Sequence, residues 1–71
     1  MYIVIEIQNT NGSVSTLTWQ YGTLNEAQSK YHTVLSAAAI SSVPIHTAVI
    51  LTHEGNLIAH ESYYHETEVT E

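Results

Sequence analysis

The stretch YIVIEIQNTNGSVSTLTWQ, residues 2–20, decides how this chain begins to fold. Residues 2–8 are rich in β-branched side chains and read as a strand. Asn9-Thr10-Asn11-Gly12 follows, with Asn first and Gly fourth, the pattern of a type I turn closed by a glycine bulge. Residues 14–20 return as a second strand. A three-residue loop pairs Ile7 with Ser15, Ile5 with Leu17 and Ile3 with Trp19, which gathers Ile3, Ile5, Ile7, Leu17 and Trp19 on one face. A two-residue turn at Asn11-Gly12 sets the same isoleucines opposite Thr and Gln. A slip of one residue exchanges a strand's faces, so the apolar pattern predicts the bulged hairpin.

Outward from the hairpin, Thr23-Leu-Asn-Glu26 is a capping box that opens a helix. Leu24, Ala27, Gln28, Tyr31, Val34, Leu35 and Ala38 recur at helical spacing, which predicts an amphipathic helix over about 24–40. Glu26 and Lys30 form an i,i+4 pair in the favourable order. Ser41-Ser42-Val43-Pro44 ends the helix, because the residue before Pro is pushed out of the α region. Residues 45–52 and 57–64 read as two further strands, joined at His53-Glu54-Gly55 by the turn logic of the first hairpin. The expected fold is α+β, a ββαββ chain with a four-stranded antiparallel sheet in order 2-1-3-4 and one helix on one face. Residues 1–64 form the domain. His65 to Glu71 hold three Glu and one apolar residue, and are expected to be an acidic tail that cannot bury enough to order itself.

The chain has 71 residues and no cysteine, so one domain is expected, without disulfides. Lys30 is the only basic residue against seven Glu, for a net charge of −6. Binding nucleic acid through phosphates and anchoring on a membrane by basic residues both need cations that are missing. The N-terminus has no basic stretch, and Glu6 interrupts its apolar run, so a cytoplasmic protein is expected.

The second hairpin is apolar on both faces. With a three-residue loop, Val49, Leu51, Leu57, Ala59 and Tyr63 share one face. Ala48, Ile50, Ile58 and Tyr64 share the other, together with His46 and His60. Tyr2, Val4 and Val14 lie opposite the isoleucines in the first hairpin. One helix covers only one face of a sheet, and a sheet half in water normally alternates apolar and polar residues. The uncovered face is therefore expected to meet a second copy, giving a homodimer or a larger assembly.

No residue pattern points to an enzyme. There is no Gly-x-Ser-x-Gly elbow and no phosphate-cradling glycine loop, and Glu6, Glu26, Glu54 and Glu61 fall on four separate elements. His46 and His60 are expected as diagonal neighbours on one face. Two imidazoles there suit Zn²⁺, but no carboxylate triad, Cys or His-x₃-His spacing accompanies them. They are read as interface or core histidines bonded to backbone or Tyr hydroxyls, with neither metal nor cofactor. Tyr2, His46, His60 and Tyr64 are the candidate contact residues, with Glu61 and Tyr63 if the helix covers the other face.

The opening YIVIEI, the stretch NEAQSKYHTVLSAAAISSVP and the strand HTAVIL resemble small proteins of bacterial prophages and mobile elements, of the Firmicutes type. The likeness extends over residues 1–64 and brings no active-site residues with it. It implies an accessory protein that acts by binding, for instance by blocking a host defence protein. Two other readings stand beside it. One is sequestration of a small molecule, such as a nucleotide signal, between subunits; the scarcity of Lys and Arg weighs against an anionic ligand, although helix N-termini can substitute. The other is a structural role in a phage particle.

Overall fold

A computed structural model describes residues 1–65. The chain runs β1 (Tyr2–Thr10), β2 (Ser13–Tyr21), α1 (Leu24–Ala39), β3 (Ile45–Thr52), β4 (Leu57–Tyr64). The strands form one antiparallel sheet in the order β2-β1-β3-β4, as the two hairpins and the connecting helix require. The helix starts where the capping box places it. Thr23 keeps an extended backbone, and its Oγ1 accepts from the Glu26 N–H at 3.2 Å. Ile40 caps the other end, four residues before Pro44.

The first hairpin departs from expectation. Asn11 has φ 54° and Gly12 has φ 90°, so the turn is a two-residue type I′. Asn tolerates the left-handed region and Gly occupies it without cost. The Asn9 Oδ1 accepts from the Gly12 N–H at 3.0 Å and fastens the corner. Without a bulge, Ile3 pairs with Gln20, Ile5 with Thr18 and Ile7 with Thr16. Leu17 and Trp19 therefore share a face with Glu6 and Val4, opposite the isoleucines, while Val14 joins the isoleucine side by pairing with Asn9. The turn residues favour the twist of an I′ corner, and that local preference prevails over the apolar pattern.

The second hairpin holds the opposite surprise. Its turn is the expected three-residue loop: Thr52 pairs with Asn56 through N–H to O at 2.9 Å, and Gly55 sits at φ 92°. Thr52 Oγ1 also accepts from the amides of Glu54 and Asn56. Leu51 then pairs with Leu57, but Ile50 pairs with Ala59, so Ile58 is the extra residue of a β-bulge. Beyond it every side chain changes side. Ala59, Glu61 and Tyr63 face the helix, whereas His60, Ser62 and Tyr64 face away.

The helix lays Ala27, Tyr31 and Val34 on Val4, Ala48 and Ile50, and Ala38 is buried nearer the helix end. Tyr2, Trp19, Tyr21, Leu35 and Ala59 pack around this core. Small residues at 27, 38 and 48 let the helix sit close to the sheet. Lys30 does not reach Glu26; its Nζ lies 4.1 Å above the Trp19 ring, a cation–π contact that covers the edge of the core. His65 is not the start of a loose tail. Its amide donates to Pro44 O at 2.7 Å, its Nε2 lies 2.7 Å from Ala38 O at the helix end, and its ring stacks on Tyr63. The helix offers its last carbonyls there, and an imidazole N–H satisfies one of them. The rest of the expected tail, residues 66–71, lies outside the described residues. Among the described residues no helix is long and apolar enough to cross a membrane.

Candidate interaction surface

Since paired residues on neighbouring strands share a face, the register assigns every side chain. The face away from the helix carries Ile3, Ile5, Ile7 and Asn9 on β1, with Ile45, Thr47, Val49 and Leu51 on β3, where the Thr47 and Ser62 hydroxyls bond at 2.8 Å. Val14, Thr16, Thr18 and Gln20 border it on β2; Leu57, His60, Ser62 and Tyr64 border it on β4. No Glu and no Lys stands among these. The central isoleucines are only half-buried, and Val14, Leu57 and Tyr64 are 58%, 56% and 75% exposed. Scattered exposed apolar residues are ordinary, but a contiguous patch on a small protein marks an interaction site.

The helix-covered face is the one that carries the carboxylates of the sheet. It holds Glu6, Gln8, His46 and Glu61. Glu6 Oε2 accepts from Gln8 Nε2 at 3.1 Å and lies 2.5 Å from His46 Nε2. His46 is buried at 3% exposure, and this charge-assisted contact is what makes its burial tolerable. Its other ring nitrogen, Nδ1, has no partner. A carboxylate–imidazole pair resembles part of a catalytic relay, but a relay needs the far nitrogen to reach a nucleophile or a substrate. Here that nitrogen is buried and meets no partner among the described residues. Next to it, a cavity of about 170 Å³ opens between Glu6, Gln8, Ser15, Thr16 and Leu17.

Farther along the helix, Tyr31 is buried beneath α1. Burial pushes its phenol above the usual 10.0, and the nearby charge of Glu61 and the Tyr63 phenol add to the shift. On the opposite side of the helix, Tyr21, Glu26, Ser29, Lys30 and Thr33 line an open depression.

The expected contact residues do not form one surface. His60 and Tyr64 lie on the open face, opposite Val49 and Ile45. Tyr2, His46, Tyr63 and Glu61 lie on the covered one, with His46 opposite Tyr63. His46 and His60 are not neighbours: the bulge at Ile58 sends them to opposite faces, so they cannot share an ion. His46 is a core histidine, but its partner is Glu6 rather than backbone or a Tyr hydroxyl. The residues overlooked are Ile3, Ile5 and Ile7 as surface, and Glu6 as the partner of His46. A usable sign was present in YIVIEI, where Glu6 shares its side of the strand with Val4 and not with the isoleucines. Comparison with protein families, with curated proteins and with solved structures finds nothing that matches, so the case for function rests on this chain's own geometry.

Proposed function

We propose that the protein acts by stoichiometric binding as a homo-oligomer, with the open sheet face of one copy packed on the same face of another. The observation that carries this is that, among the described residues, no carboxylate or ammonium stands on that face. Glu6 and Glu61 point to the helix side, Glu26 is on the helix and Glu54 is in the β3–β4 turn. Two copies can therefore meet here without bringing like charges together, a condition any self-association must satisfy. Size agrees. Four strands about 4.8 Å apart and eight residues long at roughly 3.3 Å each span ~500 Å² in projection. The relief of the side chains enlarges this toward the roughly 800 Å² per partner of a standard interface. Two sheets packed at about −30° would enclose the isoleucines between them.

Packed this way, the dimer leaves its helices, each bearing Glu26 and Lys30, facing a partner. A host protein is the partner proposed for that surface. The carboxylate of Glu6 beside the cavity disfavours an anionic nucleotide there. Sedimentation equilibrium at micromolar concentration tests the self-association. The expected mass is at least twice 7.9 kDa. Ile5→Lys, which sets a cation in the middle of the face, should lower that mass while the circular dichroism of the fold persists. A wild-type mass of 7.9 kDa would overturn the reading.

A further inference from the structure

The two edges of the sheet are defended unequally. An edge strand offers unpaired N–H and C=O groups, and natural sheets blunt it with charges, Pro, bulges or a covering element. The β4 edge carries the bulge at Ile58 and the charged Glu61. The β2 edge carries none of these. Its nine residues, SVSTLTWQY, contain no charge, no Pro and no Gly, and they pair with β1 in unbroken register. Ser13 through Thr18 are all exposed, with Val14 at 58% and Leu17 at 55%.

The backbone direction follows from the turn. In a two-residue I′ hairpin the flanking pair, here Thr10 and Ser13, is hydrogen-bonded, and antiparallel ladders alternate from there. Ser13, Ser15, Leu17, Trp19 and Tyr21 thus bond to β1. Val14, Thr16, Thr18 and Gln20 turn their amides and carbonyls outward.

We infer that β2 pairs antiparallel with β2 of a second copy, about a two-fold axis at Leu17. That register uses every outward group: Thr16 pairs with Thr18 of the other copy, and Val14 with Gln20. Leu17 meets its own counterpart, so two exposed leucines cover each other beside the Glu6 cavities. Threonine pairs suit antiparallel neighbours, and like charges opposite each other would oppose them. Because β2 carries none of the seven Glu, the second copy pairs without repulsion, despite the net charge of the chain. The axis stands perpendicular to the sheet and keeps both helices on one side. The open faces of the two copies then join into one surface twice as wide.

This inference stands on the edge alone, but it combines with the proposed face-to-face packing. Two perpendicular two-fold axes close a tetramer of two eight-stranded sheets with the helices outside. The wild-type mass is then expected at four times 7.9 kDa. Thr16→Pro removes one outward N–H and leaves the β1 ladder whole, since an edge strand tolerates Pro where its N–H faces out. Thr16→Pro should halve the mass. Leu17→Glu, which opposes two carboxylates across the axis, should halve it as well. Amide hydrogen exchange reads the contact directly: Val14, Thr16, Thr18 and Gln20 should be slow in the wild type and fast in both variants. Ile5→Lys should also halve the mass but leave those amides slow. If only the face packing is wrong, the wild type has twice the monomer mass, Ile5→Lys leaves it unchanged, and Thr16→Pro still halves it. Fast exchange at these four amides in assembled wild-type protein, or an unchanged mass in Thr16→Pro, would overturn the edge pairing.

Discussion

The two faces of the sheet differ in where charge and exposed isoleucine fall: the carboxylates lie on the covered side and the isoleucine stripe on the open one. The face under the helix contains Glu6, Gln8, His46 and Glu61, whereas the face without a helix is built on Ile3, Ile5, Ile7, Val49 and Leu51. A carboxylate can lie under a helix when a donor meets it, as His46 and Gln8 meet Glu6. An isoleucine stripe finds no such compensation in water. The difference teaches that the covered face of this chain is settled by a small, shape-fitted core of Val4, Ala48 and Ile50, and not by the greatest apolar content. An isoleucine stripe without a covering element is left over, and that leftover is the ground for the proposed association.

The contrast can be tested most strongly with one isoleucine from each face. Ile50 is 1% exposed, and Ile50→Ala should cost about 3–4 kcal/mol in urea unfolding, at any protein concentration. Ile5→Ala should cost less at low concentration and approach that figure as concentration rises, because its cover is another molecule. Equal, concentration-independent costs would erase the distinction between the faces.

A smaller effect is expected from the polar cluster. Glu6→Ala leaves the buried His46 without its partner and should destabilise the fold by about 2–3 kcal/mol. Glu6→Gln keeps an acceptor and should cost about 1 kcal/mol. If both changes prove neutral, the helix-side carboxylate is only tolerated, and the polar half of the comparison weakens.

The smallest effect concerns alkaline pH. The Tyr31 phenol is raised above 10.0 in the folded state, chiefly by burial and then by Glu61 and Tyr63. Its contribution is fully present below the unfolded value near 10 and is lost as pH rises through the folded value. Chemical denaturation should therefore show stability falling above pH 10, and Tyr31→Phe should flatten that part of the fall. No change in slope with Tyr31→Phe would mean that the phenol gains water in the folded chain.

How much could be read beforehand differs between elements. The helix was legible because Thr23 and Pro44 mark its limits and Ala27, Tyr31, Val34 and Ala38 mark its face. The strands and their order were legible because two hairpins flank one helix. The register was not. Choosing the turn by the apolar pattern assumes that one face is core and the other is water; with Ile3 and Val4 on opposite sides of β1, that premise fails. Asn11-Gly12 carried the better evidence, since its φ values suit the I′ corner. In β4 nothing in LIAHESYY announces the extra residue at Ile58, so the contact surface assigned to His46, His60 and Tyr64 was divided between two faces.

By itself the sequence determined the α+β class, the ββαββ order and the helix limits. Local propensities and composition act within a few residues, and these properties depend on nothing more distant. Only the tertiary structure decided which face the helix covers, where His46 and His60 lie, and that Glu6 meets a histidine forty positions away. Those outcomes depend on parity along each strand. One residue more or less at Asn11-Gly12 or at Ile58 exchanges the faces, and packing of the whole sheet against the helix selects among the alternatives.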